Sequence, residues 1–471
     1  MKCIILAAGE GERLKECRED LPKPLCRILG IPLIERVVFT FSEAGMNRFL
    51  IVTGYKGDEV KDLLGDGSRY GVSIEYHHNP QWHKGNGTSL HVVKKAIGTD
   101  ERFLVTMCDH LFQVEAVKKF VHYVTHNQGL FLLTDRRRDH VRNLAEATKV
   151  DVGPDGTLKT IGKKLKKCSE IDCGLLCLDC DIYEALEESF KEGRYRLSEG
   201  IDYLVNQLGR TIQTVDIENF YWQDIDECSD ISCAENKMLS TLPSPTDGVV
   251  STYINRRISI PITKFISRFS ISPNQVSFFV SIVGILSGVL FFLRRPLPAG
   301  VLAQVNSILD GVDGEIARLK HVHSTLGGLL DSILDRYVDT VILAGLVYYA
   351  FLRTRSLWAL VLGTAALAAT PLSMTLKDRF YLYFGSPYNS RRMDGIIKFL
   401  LPNRDGRLFL IMIGGIVPRL VLPVLLLLAV SSNVQIVSRV LLIRKKLEET
   451  KTRRLTAERK RLKEMRSSVR Q

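Results

Sequence analysis

Residues 269–293 form a run of 25 residues without a charged side chain. A helix needs about 20 apolar residues to cross the hydrocarbon core of a bilayer, so this run predicts a transmembrane helix. Five further stretches are also apolar and helical in pattern: 297–316, 326–352, 356–376, 408–418 and 420–438. The C-terminal half is therefore predicted to be an all-α polytopic membrane domain of about six transmembrane helices. The alternative is a set of buried helices in a large soluble core.

Basic residues are concentrated at the C-terminal end. The chain has 64 Lys and Arg against 52 Asp and Glu, a net charge of +12, and residues 444–471 alone hold 12 Lys and Arg against 4 Glu. Positive charge marks the cytoplasmic side of a membrane protein. An even number of spans then predicts a multi-pass protein of the cell membrane, with its N-terminal half and both candidate sites in the cytoplasm. The basic tail is expected to contact anionic membrane lipids or to be a solvated helix, rather than to bind nucleic acid.

The N-terminal half alternates strand-like runs such as KCIILAA and RFLIVT with helical stretches such as LIERVVFTFSEAG. This alternation predicts an α/β Rossmann-like domain with a mostly parallel sheet, whose ligands bind at the carboxyl ends of the strands. All ten cysteines lie in this half, between Cys3 and Cys233, and are expected to be reduced thiols. The cluster CGLLCLDC is interpreted as a strand rather than a zinc site. The predicted domain limits are 1–232, a linker at 233–252, a membrane domain at 253–443 and a tail at 444–471.

A glycine-rich turn follows the first predicted strand, in LAAGEGERL. Gly9 and Gly11 let backbone N–H groups approach a phosphate, and Arg13 and Lys23 add positive charge. The combination of LAAGxGxR with PKP ten residues later resembles the nucleotidyltransferases that join a nucleoside triphosphate to a sugar or polyol phosphate and release pyrophosphate. The alternative is a plain structural turn, with Lys23 solvated and Asp109 capping a turn.

This resemblance implies roles for particular residues. Lys23 would be catalytic, neutralising the α-phosphate, and one Mg²⁺ would be held by Asp109 and by Asp224 in YWQDIDE, with Asp226 as the alternative. The acceptor phosphate would be received near Lys163 and Gly174. The implied nucleotide-binding residues are Ala8, Gly9, Gly11, Arg13, Lys23, Gly85, Gly87 and Thr88.

Four aspartates lie within otherwise apolar segments, at Asp310, Asp313, Asp331 and Asp335. The first two share a helical face at i,i+3 and the last two at i,i+4, so packing the two helices together would bring four carboxylates into one place. Each carboxylate is costly in a membrane unless it is paired or metal-bound, and two divalent ions fit this arrangement. An EF-hand is excluded because Val312 lies where a ligand is needed. A proton relay remains possible on acidity alone.

The full spacing D-x2-D-G-x2-A-R-x8-G-x3-D-x3-D resembles the signature of the CDP-alcohol phosphotransferases. The resemblance implies that Asp310, Asp313 and Asp331 bind two divalent ions, Mg²⁺ or Mn²⁺, and that Asp335 is the general base and also lies close to a metal. Asp339 lies outside the signature and is expected to pair with a neighbour. The residues implied to line the nucleotide site are Gly314, Ala317, Arg318 and Gly327.

A phosphorylated acceptor would need cations near this acidic motif. The available cations are Lys377, Arg379, Arg391, Arg392 and Arg439. The alternative is that each is a cytoplasmic edge residue that obeys the positive-inside rule.

The joint architecture resembles the family of bifunctional inositol-1-phosphate cytidylyltransferases and di-myo-inositol phosphate phosphate synthases. The resemblance implies that CTP and inositol 1-phosphate give CDP-inositol and pyrophosphate. CDP-inositol and a second inositol 1-phosphate would then give phosphorylated di-myo-inositol phosphate and CMP, in compatible-solute synthesis. It also implies a homodimer formed through the membrane domain. Two alternatives are a lipid acceptor, which would make the protein a phospholipid headgroup transferase, and a non-enzymatic membrane anchor that senses nucleotides.

Overall fold

The computed structural model describes residues 1–17, 21–99, 101–137, 143–165, 167–244, 247–322, 325–386 and 388–468. The chain divides into two compact units, Met1–Lys237 and Met238–Gln471, called here the N-terminal unit and the C-terminal unit.

The N-terminal unit is built on strands and helices that alternate along the chain. Its strands are β1 Cys3–Ala7, β2 Arg27–Ile28, β3 Ile31–Pro32, β4 Arg48–Thr53, β5 Ser73–His78, β6 Phe103–Met107, β7 His110–Phe112, β8 Leu130–Asp135, β9 Lys149–Val152, β10 Leu158–Gly162, β11 Glu170–Leu178, β12 Ile212–Asp216 and β13 Trp222–Asp224. Its helices are α1 Leu33–Glu43, α2 Gly57–Leu64, α3 Asn86–Val92, α4 Val114–His126, α5 Asp181–Lys191, α6 Leu197–Asn206 and α7 Cys228–Ser240. Helix α7 begins before the predicted linker and ends within it.

Nine strands form one mixed sheet. Its main path runs β10-β9-β11-β6-β1-β4-β5, and β8 joins β11 to β12. Strands β6, β1, β4 and β5 are parallel to their neighbours in this group, whereas β11 is antiparallel to β6, β8 and β9. The predicted α/β domain is therefore confirmed, with a larger antiparallel share than the sequence suggested.

The central strand β1 shows why the sheet is covered on both sides. Cys3, Ile5 and Ala7 face one apolar cluster, whereas Ile4 and Leu6 face another. Successive side chains of a strand point to opposite faces, so a strand that is apolar throughout must be buried on both. The burial holds β1 rigidly and fixes the place where the glycine-rich turn leaves its carboxyl end.

One disulfide, between Cys17 and Cys228, corrects the expectation that all ten cysteines are reduced. The two residues are 211 positions apart in the chain, so their proximity depends on the tertiary fold. The remaining eight cysteines form no disulfide. Cys173 and Cys177 are buried in β11, in line with the interpretation of this segment as a strand.

The C-terminal unit is helical. A π-helical turn at Ser251–Asn255 leads into α8 Arg256–Ile266, and the remaining helices are α9 Pro273–Phe292, α10 Pro296–Leu319, α11 Thr325–Thr354, α12 Leu357–Phe384, α13 Ser390–Met393, α14 Arg404–Ile416 and α15 Val421–Ser468. Within the described residues, three helical segments are long and apolar enough to cross a membrane: Pro273–Phe292, Leu357–Phe384 and Pro418–Lys451. The other predicted spans fall in α10, α11 and α14, and the count of six stays a prediction.

Packing in this unit places the acidic motif between helices. Helices α9 and α10 pack against each other, as do α9 and α11. Glycines allow close approach, because a Cβ on Gly288 would lie 2.7 Å from the carbonyl oxygen of Val341 in α11. Ser287 donates a hydrogen bond to the carbonyl of Ala299, which joins α9 to α10. These contacts hold α10 and α11 against a common neighbour, α9.

Candidate active sites

The glycine-rich turn after β1 lines a cavity of about 450 Å³ in the N-terminal unit. Gly11 has a positive φ of 70°, and a Cβ on it would lie 2.6 Å from the Cβ of Lys23. A side chain at this position would therefore displace the lysine. The cavity is lined by Leu6, Ala8, Gly9, Gly11, Glu12, Arg13, Lys23, Trp82, Asn86, Ser89, Met107, Cys108, Asp109 and Asp226.

Lys23 lies between two carboxylates at the floor of this cavity. Its Nζ is 2.5 Å from Asp109 Oδ2 and 2.7 Å from Asp226 Oδ1. Burial disfavours the charged lysine, but the two carboxylates outweigh it and raise the Lys23 pKa above its usual range. Burial also opposes ionisation of Asp109, yet Lys23 and a hydrogen bond with His110 hold the Asp109 pKa far below its usual range. The cluster is therefore charged at neutral pH.

Arg13 extends this charged cluster towards solvent. Its guanidinium pairs with Asp226 Oδ2 at 3.1 Å and with the exposed carboxylate of Glu146. The Asp226 pKa is lowered, because Lys23 and Arg13 outweigh the effects of burial and of Asp109. The structure thus brings Arg13, Lys23, Asp109 and Asp226 together around one cavity.

Asp224 lies on β13, directly opposite His110 on β7. Burial raises its pKa, helped by Asp226 and Asp109 and opposed by His110. Asp224 therefore interacts electrostatically with Asp109 and Asp226, but it is not among the described residues that line the cavity. Of the two candidates in YWQDIDE, Asp226 is the one that contacts Lys23 and Arg13.

Three further residues that line the cavity were not predicted from the sequence: Trp82, Asn86 and Ser89. The predicted residues Gly85 and Gly87 are not among the described residues that line it. A Cβ on either glycine would come within 2.6 Å of the Tyr195 carbonyl oxygen. The HKGNGTSL segment thus lines the cavity through Asn86 and Ser89, and its two glycines allow close packing against Tyr195. A role of these glycines in nucleotide binding stays a prediction. Trp82 and Asn86 could have been predicted from the sequence, because Asn86 lies between Gly85 and Gly87 and Trp82 lies directly before the same glycine-rich segment.

Thr88 is likewise not among the described residues that line the cavity, and its hydroxyl bonds to neighbouring protein groups instead. Its hydroxyl accepts a hydrogen bond from Asn79 at 3.0 Å and donates to the Gly85 carbonyl at 2.7 Å. Thr88 therefore holds the turn that presents Asn86 and Ser89.

The two predicted acceptor residues of this unit, Gly174 and Lys163, are not among the described residues that line the cavity. Gly174 has a φ of 74°, and a Cβ there would lie 2.5 Å from Cδ2 of His110. The glycine makes room for the imidazole, which stacks on Trp222 and contacts Asp109. Lys163 is exposed just after β10.

In the C-terminal unit, Asp310 on α10 approaches Asp331 and Asp335 on α11. One carboxylate oxygen from each lies within 4.8 Å of the others. Asp313, one turn from Asp310, accepts hydrogen bonds from the Ser277 hydroxyl of α9 and from the Gly314 backbone N–H. The spacing of the motif thus brings three of the four predicted carboxylates together from two helices, whereas Asp313 is not part of this group.

An arginine that the sequence analysis missed crosses this acidic cluster. Arg404, at the start of α14, pairs with Asp310, with Asp335 at 2.9 Å and with Asp339 at 2.9 Å. Asp339 also pairs with Arg407 at 3.0 Å. Asp339 is therefore paired with neighbours, as expected from its place outside the signature. Arg404 lies 69 residues after Asp335, and no local pattern connects the two.

The remaining signature residues surround α10 and the start of α11. A Cβ on Gly314 would lie 3.3 Å from Nη1 of Arg318, so a larger residue would crowd that guanidinium. Arg318 donates to the Leu242 carbonyl at 2.9 Å. Ala317 is half-buried on α10, and Gly327 is half-buried near the start of α11.

The candidate acceptor cations have different surroundings. Arg439 is fully buried and pairs with Asp394 at 2.8 Å, and it also donates to Ser373 Oγ at 2.7 Å. Lys377 is half-buried on α12, whereas Arg379 and Arg392 are exposed. The side chain of Arg391 lies outside the described residues. Arg439 thus has a partner that fully accounts for its charge.

Both sites offer the donors that hard divalent cations prefer. Mg²⁺ and Mn²⁺ bind carboxylate oxygens, and both clusters concentrate carboxylates from separate elements. In the C-terminal unit the three oxygens converge between apolar helices, where uncompensated carboxylates are costly. The residues present therefore fit divalent metal ions at both places.

Comparison with known proteins identifies the class of each unit. Residues 3–190 match the family model of the MobA-like NTP transferase domain, and residues 270–389 match that of the CDP-alcohol phosphatidyltransferases. The chain is therefore an enzyme that combines a nucleotidyltransferase domain with a membrane-associated CDP-alcohol phosphotransferase domain.

Full-length relatives specify the class further. A protein of Thermococcus kodakarensis named "Bifunctional IPC transferase and DIPP synthase" is 32% identical over 96% of this chain and 99% of its own length. A protein of Aquifex aeolicus with the same name is 30% identical over 94% of this chain and 98% of its own length. A solved structure of the inositol-1-phosphate CTP transferase from T. maritima is 24% identical, with a TM-score of 0.44, over 49% of this chain and 90% of that one. The chain belongs to the family of bifunctional IPC transferases and DIPP synthases.

Proposed function

We propose that the N-terminal unit transfers a cytidylyl group from CTP to inositol 1-phosphate, and that the C-terminal unit consumes the product. The observation that carries this proposal is the near full-length match to relatives named for both activities, together with a charged cluster in each unit. The fusion of the two domains favours CTP as the nucleotide of the first step, because CTP would give a CDP-alcohol, which is the substrate class of the second step.

In the first step, a phosphate oxygen of inositol 1-phosphate attacks the α-phosphorus of CTP. The bond to the β-phosphate breaks and pyrophosphate leaves, so no covalent intermediate with the protein is needed. Lys23 and Arg13 neutralise phosphate charge, which lowers the repulsion between the two anions. Asp109 and Asp226 would hold one Mg²⁺, which would supply further charge neutralisation. Asp226 is assigned this role over Asp224 because it contacts Lys23 and lines the cavity.

In the second step, a hydroxyl of another inositol 1-phosphate attacks the phosphorus that carries inositol in CDP-inositol. The bond to the cytidylyl phosphate breaks, CMP leaves, and Asp335 accepts the hydroxyl proton. Asp310, Asp313 and Asp331, with Asp335 close by, would hold two divalent ions, which would supply charge neutralisation. Arg318 would bind the pyrophosphate, as the signature implies, and Gly314, Ala317 and Gly327 would line the nucleotide site.

The same proposal includes the arrangement of the chain. Six spans, formed by α9, α10, α11, α12, α14 and α15, would put the N-terminal unit and the basic tail in the cytoplasm. The proposed domain limits are 1–232, 253–443 and 444–471, with the membrane domain in contact with lipid and paired in a homodimer. Lys377 and Arg379 remain the proposed contacts for the acceptor phosphate.

A phosphorus NMR experiment tests the proposal. The purified full-length protein is given CTP, Mg²⁺ and inositol 1-phosphate, and CDP-inositol is expected to form and then decline. Asp109→Asn should stop the first step yet still use supplied CDP-inositol, whereas Asp335→Asn should accumulate CDP-inositol. Failure of the wild-type protein to form CDP-inositol would contradict the substrate assignment. A single variant that blocks both steps in folded protein would contradict the division of labour.

A further inference from the structure

A buried carboxylate lies close to the metal motif without belonging to it. Glu315, on α10, is fully buried, and it is two residues beyond Asp313 in the chain. Its oxygens accept hydrogen bonds from Ser259 Oγ at 2.7 Å and from the Thr263 hydroxyl, and they form an ion pair with Arg256. All three partners come from α8, so a single side chain joins α8 to α10.

Arg256 strengthens this junction with contacts on either side. Its guanidinium pairs with Asp247 at 2.7 Å and donates to the carbonyl of Gly311 at 3.3 Å. A Cβ on Gly311 would lie 2.6 Å from Nη1 of Arg256. Gly311 directly follows Asp310, so the guanidinium touches the backbone of the helix within one residue of a proposed metal ligand. We call the set of Asp247, Arg256, Ser259, Thr263 and Glu315 the α8 clamp.

The clamp holds α10 from behind the acidic cluster. At 3.6 residues per turn, Glu315 points roughly 200° around the helix from Asp313. Arg318 is three residues beyond Glu315 and therefore lies on the same side of α10 as Glu315. A helix anchored on one side in this way cannot rotate freely about its axis. Rotation of α10 would move Asp310 and Asp313 together relative to Asp331 and Asp335 on α11.

We propose that Glu315 is a positioning residue for the second transfer, which fixes the rotation of α10 through the α8 clamp and so orients Asp310, Asp313 and Arg318. The proposal rests on the proposed function of the C-terminal unit. Glu315 occupies one of the two unspecified positions between Gly314 and Ala317 in the signature, so the family resemblance assigns it no role. A charged group is retained there because several donors of α8 converge on it.

Kinetics of the full-length protein with supplied CDP-inositol and inositol 1-phosphate test the clamp. Glu315→Ala should lower kcat of the second step about tenfold, in the range seen when groups that orient metal ligands are removed. Glu315→Gln keeps an acceptor for Ser259 and Thr263 and should recover part of this loss. Because Glu315 and the other residues of the α8 clamp all belong to the C-terminal unit, the rate of CDP-inositol formation from CTP should not change. Thr370→Ala removes a buried hydroxyl whose hydrogen bond to the Ala366 carbonyl lies within α12, and it is the control, expected to keep the wild-type kcat.

Metal binding gives a readout that does not depend on turnover. In an Asp109→Asn background, which weakens the proposed metal site of the N-terminal unit, Mn²⁺ titration followed by electron paramagnetic resonance should show about tenfold weaker binding for Glu315→Ala. Ser259→Ala and Thr263→Val each remove one hydrogen bond of the clamp and keep the ion pair between Glu315 and Arg256. These variants replace Glu315→Ala if that protein does not fold. Wild-type kcat and Mn²⁺ affinity in folded clamp variants would overturn the proposal. Inactivity of the wild-type protein towards CDP-inositol would instead overturn the proposed function, while the Mn²⁺ comparison would still decide the clamp.

Discussion

The two candidate sites balance charge in opposite ways. In the N-terminal unit a lysine lies between two carboxylates that line the same cavity, one directly before β7 and one shortly after β13, its partner in a two-stranded sheet. In the C-terminal unit the carboxylates come from two neighbouring helices, and one arginine crosses them. Water can compensate charge in the first site but much less in the second. The comparison teaches that the second site must be more sensitive to the loss of a single charge.

The largest expected effect is on the stability of the C-terminal unit in Arg404→Ala. This change leaves Asp310, Asp335 and Asp339 with fewer compensating charges, and loss of one partner from a buried ion pair costs about 3–5 kcal/mol. Thermal unfolding in detergent should show a lower transition for this unit, and second-step activity should fall. The control Arg379→Ala removes an exposed arginine and should leave the transition unchanged. An unchanged transition temperature in Arg404→Ala would contradict the inference that the second site is more sensitive than the first to the loss of a single charge.

Lys23→Ala is expected to affect chemistry more than stability. Loss of a preorganised positive group that stabilises the transition state costs about 10²–10³-fold in rate. The rate of CDP-inositol formation should fall by that factor, while supplied CDP-inositol is still consumed at the wild-type rate. Lys118→Ala, at an exposed lysine on α4 of the same unit, is the control. A Lys23→Ala protein with normal kcat would remove the lysine from the proposed mechanism.

A comparison of Asp226→Asn with Asp224→Asn sharpens the description of the first site. Asp226 contacts both Lys23 and Arg13, so its loss should raise the Mg²⁺ concentration needed for half-maximal CDP-inositol formation by at least about tenfold. Asp224→Asn should have the smaller effect. The reverse order would return the second ligand to Asp224, as the W-x-D resemblance implied.

The smallest expected effect concerns the Cys17–Cys228 disulfide. Cys17 ends the 3-10 helix that carries Arg13, and Cys228 follows Asp226 by two residues, so the bond restrains both sides of the cavity. Removing the restraint adds an ordering cost to nucleotide binding, and about a threefold rise in the KM for CTP is expected. Cys17→Ser and dithiothreitol should act alike and without additivity. Cys168→Ser is the control, and the KM for CDP-inositol should not change in any of these samples.

The sequence predicted the second site in more detail than the first, for a physical reason. Asp310, Asp313, Asp331 and Asp335 lie within 26 residues, and helical periodicity alone sets their relative directions. Arg404 and the α8 clamp were not predicted, because their contacts depend on how distant helices pack.

In the N-terminal unit, a larger part of the site depends on contacts between residues that are distant in the chain, and local sequence patterns do not predict such contacts. Strand order and the glycine-rich turn were readable from local pattern, and Lys23 and Asp109 were named from the resemblance. The pairing of Asp226 with Lys23 joins positions 203 residues apart, and it required the sheet to be assembled. Ligand-binding roles were predicted for Gly85, Gly87 and Gly174, and these stay predictions; the close approach of Tyr195 or His110 to each of these glycines was not predicted, because it depends on the tertiary fold.

Helix α15 is 48 residues long, which at 1.5 Å per residue is about 72 Å. The hydrocarbon core of a bilayer takes about 30 Å, so an upright α15 extends roughly 40 Å beyond it. Electrostatic attraction to lipid headgroups decays over about 8 Å at physiological salt. In the proposed membrane arrangement, the headgroups would attract the first basic residues after the apolar stretch, Arg444, Lys445 and Lys446, and the helix would continue away from the surface. A rigid rod sets a distance, whereas a flexible tail of the same composition would fold its charge back onto the lipid.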